Sequence, residues 1–304
     1  MDNSSQRLPD SVMIFGCGYV GSALAEKLIA NGVRVGALTR NEETAEVLRK
    51  KGLSEVVIEE VDSDRWHKVL GDYSAAVNCV SSAGGGLAGY RKSYFEGQRS
   101  ILNWAATTNL SHYIYTSSTS VYPQDGGLLV DENADTTDAP ETGQVLLESE
   151  KLIEAAAVSF KNWFVLRLAG IYGPGRHFLL DQLNEGRGVI PGRGDYTLNL
   201  IHLYDIVAVI MAALSSNLAS RSGIYNVADD SPSLKQEILA WLAAQVGMSV
   251  PQFDPDVISS RLKRRGGRMP DRRVDNSKVK AALNWQPRFK SYREGYEELL
   301  ANHR

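Results

Sequence analysis

The chain contains 304 residues, of which 43% are hydrophobic, so it can bury a substantial core in one large domain plus a smaller lobe. Its formal net charge of -3 leaves no basic excess for binding a nucleic-acid backbone or an anionic membrane surface. Cys17 and Cys79 are too few for a disulfide framework and lack metal-ligand spacing, so we expect a reducing compartment and no nucleic-acid or metal partner.

The amino terminus does not have the pattern of a signal peptide. Residues 1–10 are polar, with no charged segment followed by an apolar run and a cleavage site. Farther along, the longest apolar run, residues 206–214, is much shorter than the roughly 18 residues that a spanning helix needs. We expect a cytoplasmic protein without a membrane partner.

Short β-branched runs alternate with helical patterns through the first two thirds of the chain. This alternation is typical of repeated βαβ units and predicts a parallel sheet covered by helices on both faces. The predicted strands are residues 12–15, 33–38, 55–61, 75–80, 113–116 and 163–168. Helices at residues 21–31 and 42–51 separate the first three strands. The fold class is therefore α/β, a doubly wound Rossmann sheet.

Beyond Tyr172 the alternation loosens. Glycine- and proline-rich turns at residues 173–175 and 191–194 break it, which indicates that the chain leaves the sheet to build a smaller C-terminal substrate lobe. We predict a Rossmann domain from residues 1–173 plus about 199–228. The remaining residues, about 174–198 plus 229–304, are predicted to form the substrate lobe.

The last third contains further predicted elements. Residues 199–214 are predicted to form a strand and an apolar helix, with Asp205 as the helix cap. The later elements are a strand at residues 223–227, a helix at 233–246, a basic loop at 263–273, and a helix, turn and helix at 276–300.

A glycine-rich loop follows the first strand and opens the first helix. Gly16, Gly18 and Gly21 form a G-x-G-x-x-G pattern, with Tyr19 and Val20 between the last two glycines. Gly16 permits a tight turn, Gly18 lets the backbone approach a pyrophosphate, and Gly21 lets the helix pack closely on the strand. Free N–H groups and the helix dipole then favour phosphate, so we predict a dinucleotide site.

The end of the second strand indicates which dinucleotide binds. NAD sites usually place an acidic residue about 20 residues after the loop, to hold the ribose 2′-hydroxyl. Here Thr39 and Arg40 stand in that place. Arg40 can pair with a 2′-phosphate and stack on adenine, so we predict NADP(H), with NAD as the other possibility. The alternative for Arg40 is a solvated surface arginine.

Several motifs extend along nearly the whole chain. They are the glycine loop and the segments at residues 116–122, 167–175, 201–205 and 225–227. On these motifs the chain resembles the extended short-chain dehydrogenase/reductase superfamily, in its NAD-dependent epimerase/dehydratase branch. The resemblance implies cofactor contacts by Asp62, whose neighbourhood usually meets adenine, and by Ser81 and Thr116.

The resemblance also implies a catalytic site, from which this chain departs. Ser118 stands where the family's serine polarises the substrate carbonyl or hydroxyl. The family's Tyr-x-x-x-Lys pair is missing, and Thr142 and Leu146 stand in its two places, with a register that can shift by two. Leucine cannot hold ribose hydroxyls, and threonine is too weak an acid. The chain therefore resembles a bacterial subgroup of atypical members without the dyad.

The dehydratases of this branch carry an Asp-Glu pair just after the position of the serine. Thr119 and Ser120 occupy those two places here, which argues against sugar-nucleotide dehydration.

Other groups must then supply any catalytic acid. Ser118 with Tyr122 or Tyr172 are the candidates near the expected nicotinamide, and the alternative for both tyrosines is a cleft-lining aromatic. Arg176 and His177 lie where relatives contact substrate, or they are ordinary polar loop residues.

His202 and a basic run in the last third of the chain can each be explained by a structural role. His202 is expected to make structural hydrogen bonds in preference to acting as a base. A basic run lies in the predicted substrate lobe, where relatives hold nucleotide-sugar phosphates, and its alternative is a solvated loop. This run consists of Lys263, Arg264, Arg265, Arg268, Arg272 and Arg273.

We expect an NADP(H)-dependent oxidoreductase or epimerase-like enzyme that transfers hydride on a small hydroxylated or carbonyl substrate, such as a sugar derivative. The alternative, favoured by the missing dyad, is a catalytically silent NAD(P)-binding sensor or scaffold. A nucleic-acid-binding regulator is disfavoured by the acidic charge balance. Relatives often form homodimers through helices, and the helix at residues 100–108 is a candidate for such a contact.

Overall fold

The computed structural model describes residues 7–82, 84–185, 188–257 and 269–301. The strands within these ranges are, in chain order, β1 (Ser11–Phe15), β2 (Arg34–Thr39), β3 (Glu55–Ile58), β4 (Ala75–Asn78), β5 (His112–Ser118), β6 (Leu128–Val130), β7 (Asn162–Leu168), β8 (Gly170–Tyr172), β9 (Val189–Pro191), β10 (Thr197–Leu198), β11 (Leu200–His202), β12 (Gly223–Val227), β13 (Ser233–Leu234), β14 (Gln252–Asp254) and β15 (Arg272–Val274). The α-helices are α1 (Tyr19–Ala30), α2 (Glu42–Lys50), α3 (Gly86–Arg91), α4 (Gly97–Ala105), α5 (Glu141–Ala155), α6 (Phe178–Asn184), α7 (Leu203–Leu214), α8 (Lys235–Val246), α9 (Ser277–Leu283) and α10 (Tyr292–Ala301).

Seven strands form one parallel sheet in the order β12-β7-β5-β4-β1-β2-β3. The chain runs outward from β1 through β2 to β3, then returns to pair β4 with the other side of β1. This reversal creates a crevice at the carboxyl ends of β1 and β4, which is where open α/β sheets bind ligands. The predicted doubly wound Rossmann sheet is confirmed, and all of its strands correspond to predicted ones.

Alternation along the strands explains why helices cover both faces of the sheet. In β1, every residue is buried; Val12 and Ile14 join one apolar cluster, whereas Met13 and Phe15 join another. The first cluster includes residues of α1 and α7, and the second includes the tryptophans Trp66 and Trp104. Side chains that point to opposite faces at a period of two therefore build two separate cores.

Short two-stranded sheets lie outside the main sheet. They pair β6 with β15, β8 with β11, β9 with β14, and β10 with β13. Residues of α6, α8 and α10 form a third apolar cluster that includes Leu183, Ile238 and Tyr296. This packing gives the part of the chain beyond β7 an apolar core that is separate from the two cores of the sheet.

The start of α7 differs from its prediction. His202, not Asp205, precedes the helix, and its Nδ1 accepts a hydrogen bond from the Tyr204 N–H at 3.3 Å. Asp205 lies inside the first turn, where its carboxylate accepts from the N–H groups of Arg288 at 2.6 Å and Phe289 at 3.1 Å. The predicted cap at Asp205 is therefore wrong, because this carboxylate instead holds the loop before α10.

The predicted basic loop at residues 263–273 is a strand at its C-terminal end. Arg272 and Arg273 belong to strand β15, which pairs with β6, so this part of the segment is not a loop. The predicted contacts of Lys263, Arg264, Arg265 and Arg268 lie outside the described residues. Within the described ranges, none of the helices combines the length and the apolarity needed to cross a membrane.

Candidate dinucleotide and substrate site

The glycine loop lies at the carboxyl end of β1, against the neighbouring strand β4. Gly16 has φ +75°, and a Cβ added there would come within 2.5 Å of the Val80 backbone. At Gly21, an added Cβ would come within 2.8 Å of the Gly16 carbonyl and 3.1 Å of the Ile14 side chain. Both positions are closed by packing, so these two glycines are required for the turn and for the close approach of α1 to β1.

Gly18 has the opposite environment. An added Cβ would meet no heavy atom within 4 Å, and Gly18 borders a cavity at the carboxyl end of the sheet. It stands immediately before α1, so the first N–H groups of this helix face the same space. A bare backbone at the start of a helix, open to a cavity, fits the diphosphate of a dinucleotide.

A cavity of about 700 Å³ opens at the carboxyl ends of the central strands. Segments after β1, β4 and β5 form one side of it, and residues near β10, α8 and β15 form the other. The sequence-predicted residues that border it are Gly18, Tyr19, Val20, Ser81, Thr116, Ser118, Tyr172 and Arg176. The structure thus brings eight predicted residues to one site.

Tyr19 and Arg176 connect the glycine loop to the chain beyond β8. The Tyr19 hydroxyl donates a hydrogen bond to the Pro174 carbonyl at 3.0 Å. The guanidinium carbon of Arg176 lies 5.4 Å from the centre of the Tyr19 ring, a cation–π geometry. Burial raises the pKa of Tyr19 to about 12, against the opposing charge of Arg176, so this phenol stays protonated near neutral pH.

The residues predicted to meet the adenosine half lie outside the cavity, at the end of the sheet. Thr39 ends β2, and its hydroxyl accepts a hydrogen bond from the Asn41 N–H at 3.3 Å. Arg40 follows it and is exposed. Asp62 lies half-buried, 3.7 Å from the Lys92 ammonium. The position directly after β2 is therefore occupied by an exposed arginine, where NAD sites usually place a carboxylate.

Thr116 and Ser118 lie on β5, at the floor of the cavity. The Thr116 hydroxyl donates to the Asn78 carbonyl at 3.2 Å, which ties β5 to β4. The Ser118 hydroxyl oxygen accepts from the Ser120 N–H at 3.2 Å and caps a short 3₁₀ turn. This contact fixes the Ser118 hydroxyl at the cavity wall, and its own proton can still be donated to a ligand.

Tyr122 does not reach the cavity, which contradicts its predicted catalytic role. It is 1% exposed, and its hydroxyl donates to Asn226 Oδ1 at 2.7 Å while accepting from Arg167 Nη1 at 2.9 Å. Arg167 in turn pairs with Glu150 at 2.6 Å. Tyr122 is therefore a core residue of a buried polar network, because both capacities of its hydroxyl are already used.

Tyr172 and His177 also differ from their predicted substrate contacts. The Tyr172 ring stacks on Tyr296 with centres 5.1 Å apart, and its buried hydroxyl lies against Gly295, not in the open cavity. The predicted contact through that hydroxyl is not supported. His177 precedes α6 and lies 2.7 Å from Asp181, outside the cavity wall.

Helix α5 contributes no residue to the described cavity wall. Thr142, which stands in the place of the family's tyrosine, is exposed, and Leu146, in the place of its lysine, is fully buried in the core. Moving the register by up to two residues in either direction gives no tyrosine followed by a lysine four residues later. The catalytic pair is therefore absent in space as well as in sequence.

Two cavity tyrosines were not predicted from the sequence. Tyr90 on α3 and Tyr94 on the following π turn have ring centres 4.4 Å apart, and both border the cavity. Burial raises the pKa of Tyr94, while hydrogen bonds from the Ser82 backbone and Tyr90, and the charge of Arg176, oppose that rise. The spacing of four on one helical face was the available signal, but it is equally typical of packing.

The last third of the chain adds two charged cavity residues, Lys235, which the sequence analysis did not single out, and Arg272, which it placed in a basic loop. Lys235, the first residue of α8, is 5% exposed, and Arg272 on β15 is 6% exposed. Both border the cavity beside Tyr196. Their charges were visible in the sequence, but their burial at a common wall depends on contacts between distant segments.

Comparisons with known proteins agree with this geometry. The profile of the NAD dependent epimerase/dehydratase family matches residues 12–228. Protein YeeZ of Escherichia coli (strain K12) is 28% identical over 261 residues, which cover 83% of this chain and 89% of that protein. A 3-diazoavenalumate denitrifying reductase of a Streptomyces species is 25% identical over 306 aligned positions, which cover 93% of this chain and 98% of that protein.

Among solved structures, UDP-glucuronic acid 4-epimerase from Bacillus cereus, in complex with UDP-glucuronic acid and NAD, has a similar fold. It superposes with a TM-score of 0.79 at 21% identity, and the match covers 94% of this chain and 96% of that one. At this identity the similarity establishes the shared fold.

Proposed function

We propose that this chain, which belongs to the NAD-dependent epimerase/dehydratase family, is an NADP(H)-dependent oxidoreductase. Its substrate is a small hydroxylated or carbonyl compound, such as a sugar derivative, that gains or loses a hydride. One observation carries the proposal: Gly18 presents bare backbone to the cavity at the start of α1, between two glycines that packing requires. This arrangement matches the backbone cradle of a dinucleotide.

The preference for NADP(H) rests on the end of β2. Arg40 is exposed and follows Thr39 directly, where a carboxylate would bind a ribose 2′-hydroxyl and repel a 2′-phosphate. A guanidinium there pairs with the phosphate through charge-assisted hydrogen bonds. The NAD in the Bacillus cereus epimerase structure supports a dinucleotide in this cleft, and Arg40 supports the phosphorylated form.

The cavity wall supports turnover in preference to a silent binding role. The bound dinucleotide supplies or accepts the hydride. Ser118 can donate its hydroxyl proton to a substrate oxygen, and Tyr94 is a protonated phenol that can give a proton to a developing alkoxide. Tyr94 would thus replace the acid that α5 lacks. The reductase named among the relatives also supports redox chemistry.

A titration with the two cofactors tests this function. Arg40→Glu should weaken NADPH binding at least tenfold and leave NADH binding within about twofold, because only NADPH carries the 2′-phosphate. Arg49→Glu is the matched control, since Arg49 is an exposed arginine of the same βα unit, at the far end of α2. Cofactor fluorescence measures both affinities, and equal losses for NADPH and NADH would remove the NADP assignment.

A second measurement separates an enzyme from a silent binder. NADPH oxidation at 340 nm is followed against a panel of sugar-derived and aromatic carbonyl compounds. The wild type should turn over at least one of them, and Tyr94→Phe should bind NADPH as the wild type does while losing most of that turnover. If NADPH binds but no compound is reduced, the sensor or scaffold alternative is favoured instead.

A further inference from the structure

We propose that Lys235 and Arg272 form an anion subsite, so that the substrate is a small organic acid whose carboxylate or phosphate group lies between these two side chains. This inference rests on the proposed function, because it names the class of molecule that the same cavity accepts. The charge, the burial and the hydrogen bonds of the cavity wall around these two residues support it.

The cavity wall carries only positive formal charge in the part of the chain that the structure describes. Arg176, Lys235 and Arg272 line it, and no aspartate or glutamate does. Lys235 and Arg272 are 5% and 6% exposed, so their charges act in a medium that screens them much less than water does. An anionic group that enters this cavity is attracted more strongly than a neutral one of the same shape.

One short segment positions both cations. The Lys235 N–H donates to the Tyr196 carbonyl at 3.0 Å, and β13 just before it pairs with β10. Asn199, just after β10, donates through Nδ2 to the Arg272 carbonyl at 2.8 Å and accepts from the Val274 N–H at 2.8 Å. The segment at residues 196–199 therefore fixes the starts of both side chains on one wall.

Arg272 also reaches the floor of the cavity. Its Nη2 donates to the Thr119 carbonyl at 2.7 Å, directly after Ser118. An anion beside Arg272 consequently lies next to the residue proposed to orient the reacting oxygen. Arg176, in contrast, stacks on Tyr19 of the glycine loop, where the diphosphate is expected. The chain thus separates one cation for the cofactor from two for the substrate.

The groups around Lys235 favour an organic acid with a flat apolar body. Its ammonium lies 5.3 Å from the ring centre of Phe253 and 6.0 Å from that of Tyr196. Leu198 and Met269 also border the cavity. Arg272 offers a planar fork that matches carboxylate or phosphate, while the aromatic wall covers the remainder of the ligand.

Binding of matched probes to the full chain tests the subsite. Isothermal titration compares trans-cinnamate, phenyl phosphate and the neutral trans-cinnamamide, each with and without saturating NADPH. We expect at least one of the two anions to bind at least tenfold more tightly than the amide. The tighter of the two anions tells whether the natural group is a carboxylate or a phosphate.

Two variants and one control assign the binding to these residues. Lys235→Met and Arg272→Gln should each weaken the anion at least tenfold and leave the amide unchanged. Arg273→Gln removes the same charge from the neighbouring position of β15; Arg273 is exposed and lies outside the cavity wall, so anion binding should persist. If Arg272→Gln does not fold, Lys235→Met carries the test alone.

The inference is overturned if neither anion exceeds the amide, or if Lys235→Met binds the anion as the wild type does. NADPH affinity is measured on the same samples. Loss of anion preference with intact NADPH binding rejects the subsite only. Anion binding that survives in a protein without NADPH affinity rejects the cofactor assignment and leaves the subsite standing.

Discussion

At the scale of single residues, the three glycines of the loop have two kinds of environment, because packing closes Gly16 and Gly21 and leaves Gly18 open. Gly16 needs a positive φ and has backbone within 2.5 Å of an added Cβ, whereas Gly18 has a φ of -86° and open space in front of it. The sequence pattern alone predicts the same loop for both positions. Only the structure separates the glycine that the fold requires from the glycine that the ligand requires.

This difference predicts opposite results for two alanine substitutions. Gly18→Ala should change the free energy of unfolding by about 1 kcal/mol or less, yet weaken NADPH at least tenfold, because the methyl group fills the space of the diphosphate. Gly16→Ala should cost at least about 2 kcal/mol, from a left-handed φ and overlap with Val80. Urea unfolding and cofactor fluorescence measure both, and a stable Gly16→Ala would refute the assignment.

The residue scale also shows why the site was only partly predictable. Gly18, Ser118 and Arg176 belong to contiguous motifs, so their places at the strand ends followed from the chain order. Arg272 and Lys235 reach the same cavity through contacts between β10, β13 and β15, which no local pattern encodes. For Tyr122 the motif predicted a place in the site that the structure does not show. Its hydroxyl is instead hydrogen-bonded to Arg167 and Asn226 in the core.

At the scale of elements, length decides what the sequence can predict. The strands of the central sheet have four to seven residues and show apolar runs that a pattern can detect. The paired strands outside the main sheet have two or three residues, too few for a period to appear. The start of α7 was misassigned because aspartate is a preferred helix cap and histidine is not, and Asp205 lies in the first turn, three residues after the actual cap His202.

Helix α5 has lost its catalytic residues but keeps a buried attachment to the sheet. Glu150 accepts from Ser117 at 2.6 Å and pairs with Arg167 at 2.6 Å, and it is 2% exposed. Glu150→Gln leaves the arginine buried without its counter-charge, so we expect a loss of about 3 kcal/mol or more in unfolding free energy.

The exposed Glu154 on the same helix provides the control for this prediction. Glu154→Gln should change the unfolding free energy by about 0.5 kcal/mol or less, because its side chain is solvated. Both values come from urea unfolding at neutral pH. Equal, small effects of the two substitutions would mean that packing alone attaches α5 to the sheet.

At the scale of the whole molecule, His202 couples stability to pH. It is fully buried between α7 and the C-terminal helix α10, with Nε2 at 3.8 Å from Glu298, whose carboxylate also pairs with Arg288 at 3.5 Å. Burial, together with the charge of Arg288, lowers the pKa of His202 from 6.5 to about 4. The expected structural role of this histidine is confirmed by its cap on α7.

The sign of the pH effect follows from this lowered pKa. The unfolded chain takes up a proton at His202 near pH 6.5, while the folded chain does so only near pH 4. The neutral histidine therefore contributes stability that is complete above pH 6.5 and is lost as the pH falls toward 4, by roughly 3 kcal/mol in total.

His202→Asn keeps a side-chain cap for α7 and removes the titrating group. Urea unfolding at pH 6.5 and pH 4.5 should show a smaller fall for the variant than for the wild type, whatever its absolute stability. If the unfolding free energy falls equally in both proteins, carboxylates elsewhere, and not His202, cause the loss of stability at acid pH.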